Sequence, residues 1–151
     1  MRLRRHRVAA GLAAFVIVGL GFSGWLGLGP RSRTADIGAG RQLYLEHCAS
    51  CHGANLEGQP GWRTALPSGR MPAPPHDATG HTWHHADADL FSLVKHGLGA
   101  IVPGYESDMP AFAGVLTDDE IRAVIDYIKS TWPDRERAYQ AERSAAAAKR
   151  T

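Results

Sequence analysis

Cysteine is scarce in this chain: 151 residues contain 2, at Cys48 and Cys51, separated only by Ala49 and Ser50. A closed structural zinc site takes four ligands, usually from two paired motifs, so a solitary pair argues against one. Positive charge is scarce over the central part. Residues 31–133 carry 8 Lys and Arg against 12 Asp and Glu, a net of −4, although the formal charge of the whole chain is +2. With no basic stripe on that part, nucleic acid is not expected as a partner. Charge of either sign is missing from Val8 to Leu28, a run of 21 residues.

That run is the first positive signal. As a helix rising about 1.5 Å per residue it spans roughly the 30 Å of a bilayer's hydrocarbon core. Arg2, Arg4, Arg5 and Arg7 precede it and should stay in the cytoplasm, which places everything after Pro30 on the exported side. A cleavable signal peptide is the competing reading. The run exceeds the roughly 7–15 residues of a signal core and no A-x-A-like site follows, so a retained single-pass anchor is favoured. Subtracting this segment and the tail leaves about a hundred residues, one small domain with a thin core.

The second signal is Cys48-Ala49-Ser50-Cys51-His52. A c-type haem needs two thiols to add across its vinyl groups and an adjacent imidazole to bind the iron. On a helical turn the spacing puts both sulfurs on one side and directs His52 toward the metal. The rivals are a zinc knuckle, a thioredoxin-like dithiol and a plain disulfide. The dithiol wants a preceding strand in a βαβ setting, and the segment before Cys48 reads as helical. A covalent haem at the centre of so small a domain would become part of its core.

Three helices are predicted in the exported part. The first runs from about Asp36 to Cys48, with Asp36 as its cap and Leu43, Tyr44 and His47 at helical spacing. Gly40, four residues before Tyr44, leaves a notch for another helix. The second spans about Asp87 to His96, with Leu90, Phe91, Val94 and Leu98 along one edge and Gly97 placed to end it. The third opens on the capping box Thr117-Asp118-Asp119-Glu120, continues through Ile121, Val124, Ile125 and Ile128, and stops or kinks at Pro133. Between His52 and the second helix more than thirty residues are broken by Gly58, Pro60, Gly61, Pro67, Gly69, Pro72, Pro74 and Pro75. A loop that long is expected to wrap an apolar cofactor and be held by it. The tail from Asp134 alternates charges with alanines and is compatible with a continued helix, but it lacks an apolar stripe, so a solvated or frayed end is expected.

Met109, in Ser107-Asp108-Met109-Pro110-Ala111-Phe112, is the candidate for a second axial ligand. It precedes the third helix, Pro110 stiffens its approach, and a thioether in an apolar pocket favours Fe(II) and raises the potential. Met71 before Pro72 ranks second, as a pocket wall. His76, His81, His84 and His85 suit copper or zinc chemically but follow no standard ligand spacing. A solvated loop, or one facing the haem propionates, is expected instead, with Trp62, Trp83, Arg63 and Arg70 as further propionate partners.

Gly40 and Tyr44, Cys48 to Gly53, Met109-Pro110 with Phe112, and Thr117 to Trp132 together resemble a class I cytochrome c across about residues 36–133. The resemblance implies an all-α domain of about three helices around one covalent haem c, preceded here by a transmembrane helix. It implies that the first and last helices cross, setting Gly40 and Tyr44 against Tyr127 or Ile128. It also implies a proline carbonyl accepting the Nδ1 proton of His52, for which Pro60 is the nearest match; such a bond fixes the ring and strengthens the donor. The expected organisation is cytoplasmic arginines and anchor at 1–28, a linker at 29–35, the haem domain at 36–133 and a charged tail at 134–151.

The expected function is electron transfer by an iron bound through His52 and Met109, in a non-enzymatic carrier of the inner membrane facing the periplasm and serving redox partner proteins. The alternatives are a haem subunit of a larger membrane oxidoreductase, or a haem enzyme or gas sensor if Met109 does not bind the iron.

Overall fold

The computed structural model describes residues 33–150. The predicted membrane helix at 8–28 lies outside them, and among the described residues no helix is long and apolar enough to cross a membrane. The described part contains helices α1 (Arg33–His47), α2 (Ala49–His52), α3 (Asp87–His96), α4 (Leu98–Ile101), α5 (Asp118–Ser130) and α6 (Asp134–Ala148), with a 3-10 turn at Thr82–His84 and no strand. Helix α1 starts earlier than its sequence suggests, so Asp36 lies in the first turn and not at the cap. An acidic side chain there still complements the positive end of the helix dipole.

Helix α5 organises the core because its apolar residues line one side at helical spacing. Ile121, Val124, Ile125 and Ile128 are all buried. Val124 and Ile128 join Tyr44, Leu56 and Trp132 in one cluster, while Ile121 and Ile125 join Leu90, Phe112 and Leu116 in another. Helix α1 crosses α5 where Gly40 meets Ala123, so closely that a Cβ on Gly40 would fall inside the Ala123 carbonyl. One turn on, the buried Tyr44 ring sits 5.5 Å from that of Tyr127. The crossing expected from Gly40 and Tyr44 is therefore present, and a missing side chain is what allows it.

The capping box is formed in both directions. Thr117 Oγ1 accepts from Glu120 N at 3.3 Å and Glu120 Oε2 accepts from Thr117 N at 2.8 Å. The bonds from Thr117 hold the Glu120 carboxyl below its ordinary pKa, and Lys95, 2.7 Å from Asp118, does the same for that residue. A depressed carboxylate pKa contributes stability that is complete above the unfolded-state value and is lost as pH falls through the folded one. The thermal midpoint is therefore expected to drop as pH falls below roughly 4, the unfolded carboxylate range, and to drop less steeply in E120Q, as followed by circular dichroism across a pH series.

The region after Asp134 departs from the expectation of a frayed tail, since it forms α6 and packs. Gln140 is 1% exposed although it carries an amide. Its Nε2 donates to Asp87 Oδ1 at 2.8 Å, to Ser144 Oγ at 3.0 Å and to His85 O at 3.3 Å. Asp87 in turn accepts from Lys129 Nζ at 2.6 Å. A polar network docks this helix, which is why an apolar stripe gave no warning of it.

The long segment after His52 is held by its own bonds and is not an unsupported loop. Gln59 N donates to Ala73 O at 2.9 Å and Gln59 Oε1 accepts from Ala73 N at 2.8 Å, pairing an outgoing limb with a returning one. Farther out, Leu66 N donates to Arg70 O at 2.9 Å. Gly58, at φ +68°, lets the limbs pass, since a Cβ there would lie 2.5 Å from Pro75 N. Back at the core, His76 N donates to Leu56 O at 2.8 Å and Trp132 Nε1 to His76 O at 2.7 Å.

Candidate haem site

The two cysteines and His52 sit on one helical turn. After α1, Cys48 N donates to Tyr44 O at 2.8 Å and His52 N to Cys48 O at 2.9 Å, winding the motif tightly. Gly53, at φ +82°, ends the turn, and its carbonyl accepts from Tyr44 Oη at 2.8 Å. Both thiols are free: Cys48 is half-buried and Cys51 exposed. Burial, and then the neighbouring Cys51, pushes the Cys48 thiol up to about 11. A catalytic dithiol depends on a depressed thiol pKa and follows a strand; this pair follows helix α1, and the Cys48 thiol is shifted the opposite way.

His52 is buried and its Nδ1 lies 2.9 Å from Pro74 O. A carbonyl only accepts, so Nδ1 carries the proton and the lone pair of the neutral ring is on Nε2, the atom that would meet a metal. Burial lowers the His52 pKa, with the Pro74 bond opposing, which favours that neutral form. The acceptor is Pro74 and not Pro60, the proline expected from the resemblance. Pro60 is exposed on the outgoing limb, and because Gln59 pairs with Ala73 it is the returning limb that reaches His52.

His76 departs from the expectation of a solvated loop, because its ring is packed inside the domain. Its ring stacks on His52 with centroids 4.0 Å apart and planes 21° from parallel. Its Nδ1 lies 2.8 Å from Thr82 Oγ1. Burial, then His52 and His81, sets its pKa well below the ordinary value. The only sequence signal was its place two residues beyond Pro74, on the limb that supplies the acceptor. Two of the other histidines lie on indole rings, His81 on Trp62 at 5.4 Å and His84 on Trp83 at 3.7 Å, while the His85 ring meets that of His81 edge-on at 5.5 Å. Among the described residues no group of three or more His, Cys, Asp or Glu could hold a metal ion.

Met109 is half-buried against the cluster of Leu90, Phe112, Leu116, Ile121 and Ile125, whereas Met71 is 40% exposed. Of the residues considered for propionates, Arg63 lies over the Trp62 ring at 4.3 Å. Arg70 Nε and Trp83 Nε1 are buried without an acceptor in the chain. The donor set fits a covalent haem: two free thiols flank a turn, a neutral imidazole presents Nε2, and unpaired buried N–H groups remain for acceptors that the polypeptide does not supply.

A family model described as cytochrome c matches residues 37–132. The chain is 30% identical over 102 residues to the Cbb3-type cytochrome c oxidase subunit CcoP of Azospirillum sp. (strain B510), covering 62% of this chain and 30% of that protein. It is 31% identical over 94 residues to the CcoP subunit of Rhodobacter capsulatus, covering 61% and 28%. It is 31% identical over 98 residues to cytochrome c6 of Tetradesmus obliquus, covering 63% of this chain and 90% of that protein. The chain thus spans less than a third of the CcoP relatives. No solved structure matches it.

Proposed function

The chain belongs to the cytochrome c family, and from that we propose that it is a mono-haem electron carrier held by residues 8–28 at the exported face of the cell membrane. The haem c that this family binds covalently supplies, when bound, a one-electron Fe(II)/Fe(III) couple. Everything else is the work of the polypeptide. Cys48 and Cys51 would tether the macrocycle, and His52, its Nδ1 committed to Pro74, would offer Nε2 to the iron. Met109 would supply the second ligand, a soft thioether that would favour Fe(II), raise the potential and close the iron to a substrate. The observation that carries this reading is the 2.9 Å bond from His52 to Pro74 beside two free thiols.

The net of −4 on residues 31–133 favours partners with a basic docking surface. Similarity to CcoP supports a second reading, in which the chain is the haem subunit of a larger membrane oxidoreductase. Extraction in mild detergent followed by mass measurement separates the two, since a lone carrier migrates at its own mass.

The ligand assignment has a spectroscopic test. The oxidised haem-loaded protein is expected to show the weak far-red band of sulfur ligation and to resist carbon monoxide when reduced; Met109→Ala should lose the band and admit the gas. A wild-type protein that lacks the band, binds carbon monoxide readily or turns over peroxide would instead be an enzyme or sensor.

A further inference from the structure

We propose that Arg70 is a positioning residue for Met109, clamping the segment that bears it to the limb that fixes His52; this rests on the reading of Met109 as an iron ligand. Arg70 Nη1 donates to Asp108 Oδ1 at 2.6 Å and Nη2 to Glu106 Oε2 at 3.3 Å. Beside this fork, Met71 N donates to Tyr105 Oη at 3.1 Å. Two consecutive residues of one segment thus hold Tyr105, Glu106 and Asp108, the residues leading directly into Met109.

The need for such a clamp follows from how the Met109 segment is otherwise tied down. On its far side it is anchored to α3, through Phe112 N to Val94 O at 3.1 Å and Ala113 N to Lys95 O at 2.9 Å. On its near side the hydrogen bonds within the segment are local, Tyr105 N to Val102 O at 3.1 Å and Met109 N to Ser107 Oγ at 3.1 Å. Arg70 is itself set by a tight turn, with its carbonyl accepting from Leu66 N at 2.9 Å. Four residues later the same limb presents Pro74 O to His52. One limb therefore supports both proposed ligands, His52 through a backbone carbonyl and the Met109 segment through a guanidinium.

An ion pair at a partly exposed site is usually a weak contributor, but one arginine forked between two carboxylates next to a backbone bond gains from shared geometry. Its role is to slow the loss of sulfur from iron, not to hold the fold. The test uses the full-length haem-loaded protein in detergent, with cyanide added to the oxidised form and the far-red sulfur band followed in time. Cyanide capture is expected to quicken about fivefold in R70Q, the scale of a favourable partly exposed pair. D108N should act in the same direction without touching Arg70 Nε, and the R70Q/D108N double variant should add little to either. Salt at about 1 M, which screens the pair, should quicken capture in the wild type but not in R70Q. The charge-swapped R70E/D108R protein should recover part of the slow rate.

A band-bearing wild type whose capture rate is unchanged in R70Q, D108N and high salt overturns the clamp while leaving Met109 as the ligand. A wild type with no band, capturing cyanide at once, overturns both. Should R70Q fail to accumulate, D108N and E106Q break the fork from its other end.

Discussion

Replacing both cysteines by alanine (C48A/C51A) is expected to give a polypeptide whose mass is that of its amino acids alone, with no haem surviving denaturing electrophoresis. Each thiol adds across one vinyl group, sulfur to one carbon and its proton to the other, so no sulfur means no tether. Single variants should retain haem through one thioether in reduced yield. His52→Ala should keep the covalent mass and change the spectrum, because its Nε2 is the proposed iron ligand and takes no part in the thioether bonds. Intact mass spectrometry of protein made in a host competent for haem attachment measures all four. Loss of the cofactor should also loosen the fold, since a domain of about a hundred residues hides little apolar surface unaided. Far-ultraviolet circular dichroism should retain helix while near-ultraviolet signals from the tightly packed Tyr44 and Trp132 weaken. Wild-type protein with only its polypeptide mass under these conditions would falsify the assignment of residues 48–52 as the attachment site.

The second large effect is expected at Gly40. Any side chain there collides with backbone, the Ala123 carbonyl on α5, and helix backbone cannot step aside as a flexible side chain can. Gly40→Val should destabilise the domain by about 3 kcal/mol, the upper end of the usual cost of overpacking. Urea denaturation of the haem-loaded protein should show this as a lower midpoint. The control lies on the same helix: a Cβ on Gly38 meets nothing within 4 Å, so Gly38→Ala should stabilise α1 by about 0.5–1 kcal/mol through helix propensity alone. Equal losses from both variants would mean that α1 and α5 do not cross as described.

The sequence by itself determined the parts whose chemistry is local. Cys48, Cys51 and His52 declare the cofactor because attachment needs those atoms at that spacing. Thr117 with Glu120, Gly97 and the row from Ile121 to Ile128 declare their helices because caps and periodicity act within a few residues. Gly40 was legible as a notch, and resemblance supplied the helix that fills it. Three features belonged to the tertiary structure alone. A carbonyl is common to every residue, so which of the prolines after His52 faces its Nδ1 depended on the path of the returning limb, and the answer is Pro74, not Pro60. A helix docked through Gln140 and Asp87 leaves no apolar stripe to read, so α6 looked like a solvated tail. His76 and Arg70 gain their roles from contacts made after the chain doubles back, one stacked on His52 and the other reaching 38 residues along to Asp108. Short-range order is written in neighbouring residues, whereas the meeting of distant limbs is fixed only once the core has closed around them.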